Sequence, residues 1–249
     1  KVKHVTEYAL LRLLSAVIRR LPLRAAFILA WILAAFLHYI LRFRVRSARE
    51  RIRQVFGDRF TSREIGRIAW ISWRNICFNV VEIVRAPSIT LDHIQRYVRT
   101  EAFVRMKEFL ASGTGAVLCV PHMGNWDLAG LSAHLMGIPF FFIARRQRNP
   151  YTDAYLNKMR QSTGAETIMS DDQRMLRATV RRLKEGMVFA ILPDVRSRTP
   201  ALDISFLGYP ANIANGAALF SHLAQVPVIP ALTRRVGWFR HDWVLGAPI

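Results

Sequence analysis

The chain has 249 residues, enough for one or two domains with a full core. Its 36 Lys+Arg against 17 Asp+Glu give a net charge of +19, and Arg far outnumbers Lys, which points to an anionic partner and suits forked contacts to phosphate. A hydrophobic content of 52% is high for so basic a chain and favours a membrane surface over nucleic acid. Two Cys, both in apolar runs, give no disulfide framework and no Cys/His metal spacing, which fits a reducing compartment. Gly-rich phosphate loops of the GxxxxGK[ST] or GxGxxG kind are absent, which disfavours an ATP or dinucleotide enzyme.

In chain order, residues 25–41 form an apolar run of 17 broken only by His38. Arg19, Arg20 and Arg24 precede it, and Arg42, Arg44, Arg46, Arg49, Arg51 and Arg53 follow it. This is at the short edge of a membrane span. A spanning anchor, an interfacial helix and a buried core helix all stay open. The heavier Arg cluster after the run would keep the following chain cytoplasmic. Residues 46–112 read as helical: SARERIRQVFG ends in a Gly suited to a helix cap. TSREIGRIAWISWRNICFNVVEIV opens with a Thr61-x-x-Glu64 capping box and repeats Ile65, Ile68, Ile71 or Ser72, Ile76, Val80 and Ile83 at helical spacing. DHIQRYVRTEAFVRMKEFLASGTG reads as a strand-like piece followed by a helix to Gly113.

From Ala116 short apolar strands alternate with helices. AVLCV, IPFFFIA, ETIM, MVFAIL and VPVIPALT are the strands; WDLAGLSAHLMG, TDAYLNKMRQST, DQRMLRATVRRLKEG and NGAALFSHLAQ are the helices. Such alternation predicts an α/β fold with a mostly parallel central sheet flanked by helices. The division is an N-terminal membrane-associated helical segment at 1–45, a helical segment at 46–112 and an α/β core at 113–249.

The stretch AVLCVPHMGNWD carries the most chemistry. It places His122 at the end of a strand, just after Pro121, with Asp127 five residues on. Residues five apart on a helix point roughly 140° apart, so the two side chains can meet only where the chain still bends before the helix. With seven His and 17 acids, about 0.5 His-x4-acid pairs arise by chance, so the position at a strand end weighs more than the spacing. Arg145 closes the second strand. Asp194 and Arg196 follow MVFAIL directly. A parallel sheet would gather all of these at one edge. No nucleophile elbow is present, which favours direct attack by an acceptor hydroxyl.

The His-x-Gly-Asn-Trp-Asp box resembles the first box of the late acyltransferases of lipid A biosynthesis, within the wider His-x4-Asp glycerolipid acyltransferase group. FFIARRQRNP, ILPDVRSR, SFLGYPANIANGAALF and VPVIPA are similar to the later boxes in order and spacing. Val195 departs from the usual Gln, Leu207 from the second Phe of Phe-Phe-Gly, and Asp127 from the more common Glu. The first two departures bear on acyl-chain or acceptor preference. The shorter Asp127 needs a closer turn.

The resemblance implies His122 as general base oriented by Asp127, with Asn125, Trp126, Arg145, Asn149, Arg160, Asp194 and Arg196 toward the substrates. It implies no cofactor beyond an acyl carrier protein or coenzyme A thioester as acyl donor, and a membrane glycolipid as acceptor, first of all a lipid A precursor. Anionic membrane lipids at the cytoplasmic face of a bacterial inner membrane would be the surroundings, with no nucleic-acid partner. It also implies a further C-terminal segment beyond Ile249. Two alternatives remain: the same reaction on another glycolipid or lysophospholipid, and a non-enzymatic basic protein that binds membranes or nucleic acid.

Overall fold

A computed structural model describes residues 2–161, 164, 166–195 and 202–249, excepting the side chains of 160 and 161. Four helices open the chain: α1 (Val2–Arg20), α2 (Leu23–Ala35), α3 (Val45–Phe56) and α4 (Ser62–Arg85). A π-helical turn, Phe36–Ile40, extends α2. Gly57, at φ +55, ends α3 in the left-handed region that its missing side chain permits. The capping box of α4 is formed: the Glu64 N–H donates to Thr61 Oγ1, and the Thr61 N–H donates to Glu64 Oε2 at 2.8 Å.

The buried stripe of α4 differs from the Ile-rich one read in the sequence. Ile65 is buried, but Ile76 and Val80 are exposed, while Ala69, Phe78, Val81 and Val84 pack inward. The helix is apolar on more than one side, and spacing alone does not say which side meets α2. Ala26, Phe27, Ala30 and Ala34 of α2 form one core with Cys77, Phe78, Val81 and Val84. The opposite side of α2 exposes Ile28, Trp31 and Ile32.

The strand-like piece near Asp92 is a short helix, α5 (Leu91–Tyr97), followed by a single parallel bridge from Val98 to His241. Helix α6 (Glu101–Leu110) leads to the sheet. Its strands are β1 (Ala116–Cys119), β2 (Phe140–Ala144), β3 (Glu166–Met169), β4 (Val188–Ile191), β7 (Val228–Arg235) and β8 (His241–Leu245), in the spatial order β3-β2-β4-β1-β7-β8. All neighbours are parallel except β7 and β8. Helices α7 (Trp126–Leu135), α8 (Pro150–Gln161), α9 (Met175–Lys184) and α10 (Gly216–Ala224) connect them. The antiparallel hairpin β5 (Leu202–Phe206) and β6 (Tyr209–Ile213) stands apart from the main sheet.

Side chains alternate across the sheet with the two-residue period of a strand. Leu118 and Val188 join Leu128, Leu131, Phe103 and Met106 on one face. Val117 and Phe189 join Leu183 and Phe220 on the other. The chain therefore leaves β1 through α7 on one face, and leaves β4 toward α10 on the opposite face. The reversal falls between β1 and β4, where an open α/β sheet leaves a crevice beyond its strand ends.

Candidate active site

His122 stands in that crevice, three residues beyond Cys119. Asp194 stands three residues beyond Ile191, and Cys119 and Ile191 are register partners in the parallel β1–β4 pair. Equal steps from paired residues bring the two side chains face to face. His122 Nδ1 lies 2.7 Å from Asp194 Oδ1, and the His122 backbone N–H donates to Asp194 Oδ2 at 2.7 Å. One carboxylate thus grips both the ring and the backbone of His122. The Trp126 ring meets the imidazole edge-on, 4.8 Å between centroids.

The sequence reading assigned the orienting carboxylate to Asp127. The structure places Asp194 on Nδ1, where the strand register brings it. Asp127 sits in the first turn of α7 and lines the same cavity as His122.

The loop between β1 and α7 is held on several sides. Gly124 has φ +64, and a Cβ there would lie 2.4 Å from the Thr233 carbonyl oxygen, so only glycine fits. Thr233 Oγ1 donates to the Met123 carbonyl at 2.6 Å, and Asn79 Nδ2 donates to the Gly124 carbonyl at 2.6 Å. Asn125, read as a substrate contact, is buried and caps α7: its Oδ1 accepts the Leu128 N–H at 3.1 Å, and its Nδ2 donates to Glu82 Oε2 at 2.6 Å.

A cavity of about 760 Å³ opens beside His122. Its walls are mostly apolar, with Leu118, Leu131, Phe140, Phe142 and Ala190 among them, and His122, Asp127 and Arg145 add polar groups. Its volume and lining are those of a small-molecule site. Arg145 is exposed at the end of β2, and its neighbour Arg146 is paired with Asp171 at 2.9 Å. Asn149 is buried, and its carboxamide is engaged within the protein: Nδ2 donates to the His4 carbonyl of α1 at 2.9 Å, and Oδ1 accepts the Tyr151 N–H at 3.1 Å. It docks α1 onto α8. Arg160 belongs to α8, and its side chain lies outside the described residues, as does Arg196 altogether. Cys119, half-buried beside the site, has its thiol pushed up by burial and then by the Asp194 charge. Among the described residues, no group of three or more His, Cys, Asp or Glu is arranged to hold a metal ion.

The model of the family described as bacterial lipid A biosynthesis acyltransferase matches residues 1–241. The chain belongs to that family. It is 25% identical over 170 residues to a phosphatidylinositol mannoside acyltransferase of Mycobacterium tuberculosis strain H37Rv, covering 68% of this chain and 49% of the relative. A protein of the same name from Mycolicibacterium smegmatis is 28% identical over 122 residues, covering 45% of this chain and 40% of the relative. A lipid A biosynthesis acyltransferase of Haemophilus influenzae is 23% identical over 154 residues, covering 60% of this chain and 48% of the relative. The matched regions span about half or less of these relatives' own lengths.

Several residues that hold the site were not singled out in the sequence: Asn79, Glu82, Thr233, Arg235 and His241. One signal was available. Glu82 interrupts the apolar run VVEIV in the middle of a helix, where an acid is costly unless it has a buried partner.

Proposed function

We propose that this protein is a membrane-associated O-acyltransferase that moves a fatty acyl group from a thioester to a hydroxyl of a membrane glycolipid. The observation that carries the proposal is the His122–Asp194 pair in the wall of a large apolar cavity at the sheet's crevice. Asp194 holds the proton of His122 on Nδ1, so Nε2 is the basic nitrogen. Nε2 takes the proton of the acceptor hydroxyl as its oxygen bonds to the thioester carbonyl carbon. When the tetrahedral intermediate collapses, the C–S bond breaks and His122 returns the proton to the departing thiolate. The apolar cavity houses the acyl chain. Asp127 and Arg145 on its wall contact the polar parts of the substrates, Arg145 through a phosphate. The donor is an acyl thioester of acyl carrier protein or coenzyme A, with no further cofactor required.

The leading acceptor is a lipid A precursor, which the family favours. A mannosylated phosphatidylinositol is the second reading, favoured by the names of the mycobacterial relatives. The protein lies against the cytoplasmic face of the membrane. One side of α2 is buried against α4 and the other exposes large apolar residues beside a run of Arg, a pattern that suits an interfacial helix rather than a spanning one. A non-enzymatic basic binder is the weaker account, because it has no use for a gripped imidazole beside an apolar cavity.

Radiolabelled dodecanoyl-coenzyme A and dodecanoyl-acyl carrier protein, each incubated with protein and either acceptor class, test the proposal. Label is expected in an ester of one glycolipid. No transfer from either donor to either acceptor, by protein shown to be folded, would overturn it.

A further inference from the structure

Glu82 of α4 is buried 43 residues before Asn125 and belongs to no part of the mechanism above. Burial alone would push its carboxyl up, and this is the largest single influence. Hydrogen bonds and charge from His241 and Arg235 outweigh it and hold the group below its ordinary value. Arg235 Nη1 donates to Glu82 Oε1 at 3.0 Å, and Arg235 Nη2 donates to Oε2 and also to Asn79 Oδ1 at 2.8 Å. His241 Nε2 lies 2.9 Å from Glu82 Oε1. The pair side chains are almost wholly inaccessible, 2% for Arg235 and 8% for Glu82.

Such a pair contributes little net stability compared with apolar packing, so its worth lies in what it positions. Two of its connections end on the His122 loop. Glu82 accepts from the Asn125 side chain, and Asn79, held by Arg235, donates to the Gly124 carbonyl. These ties flank the residues directly following His122 and Met123. The other side of the loop is held by Asp194 and Thr233.

We propose that Glu82 is a positioning residue: with Arg235 and Asn79 it anchors Asn125 and Gly124, and so holds His122 against Asp194. The inference rests on reading His122 as the base, but its geometric part stands without it. Neither Glu82 nor Asn125 needs to touch substrate for this. A loop displaced by about 1 Å costs on the order of 10²-fold in turnover.

The test replaces Asn125 by Ser. Serine still caps α7 but is too short to reach Glu82, so the variant cuts the tie and keeps the helix start. Glu82→Gln is the companion, and Val81→Ala, in the α2–α4 core, is the control that lowers stability without touching the network. Histidine ring ¹⁵N spectra of the full chain report the His122 tautomer directly, assigned by its loss in His122→Gln. Wild type and Val81→Ala should show Nδ1 protonated and Nε2 bare. Asn125→Ser should show mixed tautomers, with kcat for transfer from dodecanoyl-coenzyme A down at least about ten-fold and KM nearly unchanged.

A wild-type ring spectrum in Asn125→Ser overturns the proposal, whether or not Glu82→Gln folds. So does an equal change in Val81→Ala at matched loss of Tm. If wild type transfers no acyl group at all, the proposed activity fails, while the spectra still decide the positioning role.

Discussion

Asp194 Oδ1 lies 2.7 Å from His122 Nδ1 although the two residues are 72 positions apart in the chain. Its second oxygen accepts the backbone N–H of the same histidine. The carboxylate therefore sets both the ring's orientation and the loop's path. Replacing it by Asn keeps the shape but reverses the hydrogen-bond sense at Nδ1. Asp194→Asn and His122→Ala should each lower kcat by about 10²-fold to 10⁴-fold, with the fold retained. Asp127→Asn should cost less than Asp194→Asn. Steady-state acyl transfer by the three purified variants checks this; equal activity of Asp194→Asn and wild type would sink the assignment.

The cavity predicts a chain-length effect. Gly130 lines it from α7, and a Cβ there would already lie 3.2 Å from Phe140 Cζ. Gly130→Leu should project into the acyl space. Transfer from hexadecanoyl donors should fall at least about ten-fold relative to octanoyl donors, since mismatched apolar bulk is worth about 1–3 kcal/mol. A competition assay with mixed acyl donors reads the ratio, and an unchanged ratio would place the chain elsewhere.

Gly124 combines positive φ with backbone contact to Thr233. Gly124→Ala should be disproportionately harmful for a one-carbon change, because the strain and the clash both fall on the His122 loop. A fall in Tm of several degrees together with a loss of turnover exceeding about 10²-fold is expected. Gly113→Ala has the same sign of φ but open space around it, and it should cost stability while leaving turnover near normal.

The exposed side of α2 makes a membrane prediction. Ile28 and Ile32 are both more than half exposed, at 51% and 54%, so Asp at these positions leaves the core untouched. The double variant Ile28→Asp/Ile32→Asp should keep its Tm within a few degrees and bind phosphatidylglycerol vesicles at least about ten-fold more weakly in flotation assays. Undiminished flotation would remove α2 from the membrane contact.

His93 gives a pH signature. Burial is the main reason its pKa is lowered, and the Arg85 and Arg96 charges add to this while Glu82 and Asp92 oppose it. Because the folded pKa lies below the unfolded value of about 6.5, the unfolded chain takes up the proton first as pH falls. The His93 contribution is fully present above pH 6.5 or so and is lost as pH drops toward the folded value. His93→Gln should flatten that part of a Tm-against-pH curve. A slope unchanged by the substitution would show that another group carries it.

Much of the fold was legible because its signals are local. Thr61 and Glu64 are three residues apart and form their capping box wherever the helix goes. Glu166–Met169 is read as a strand from its own side chains and turns. Gly57, read as a helix cap, stands where positive φ is needed. The hairpin β5–β6 was missed because it turns tightly at Leu207-Gly208 and lies outside the main sheet. Strand β8 escaped notice because it is short and pairs antiparallel at the edge.

Local patterns in the chain were enough for the alternation of strands and helices, the position of His122 at a strand end, and an excess of positive charge beside an apolar helix. These follow from periodicity, turn chemistry and composition, which act over a few residues. The contact between His122 and Asp194 comes from the packing of the whole chain. The Cys119–Ile191 register and the order of β4 beside β1 bring Asp194 to Nδ1, and Asp127 lines the same cavity. The same packing also turned Asn125 and Asn149 inward and gathered Asn79, Glu82, Arg235 and His241 behind the loop. Hydrogen bonds between distant segments depend on how strands pair and helices pack, and no local pattern encodes that choice.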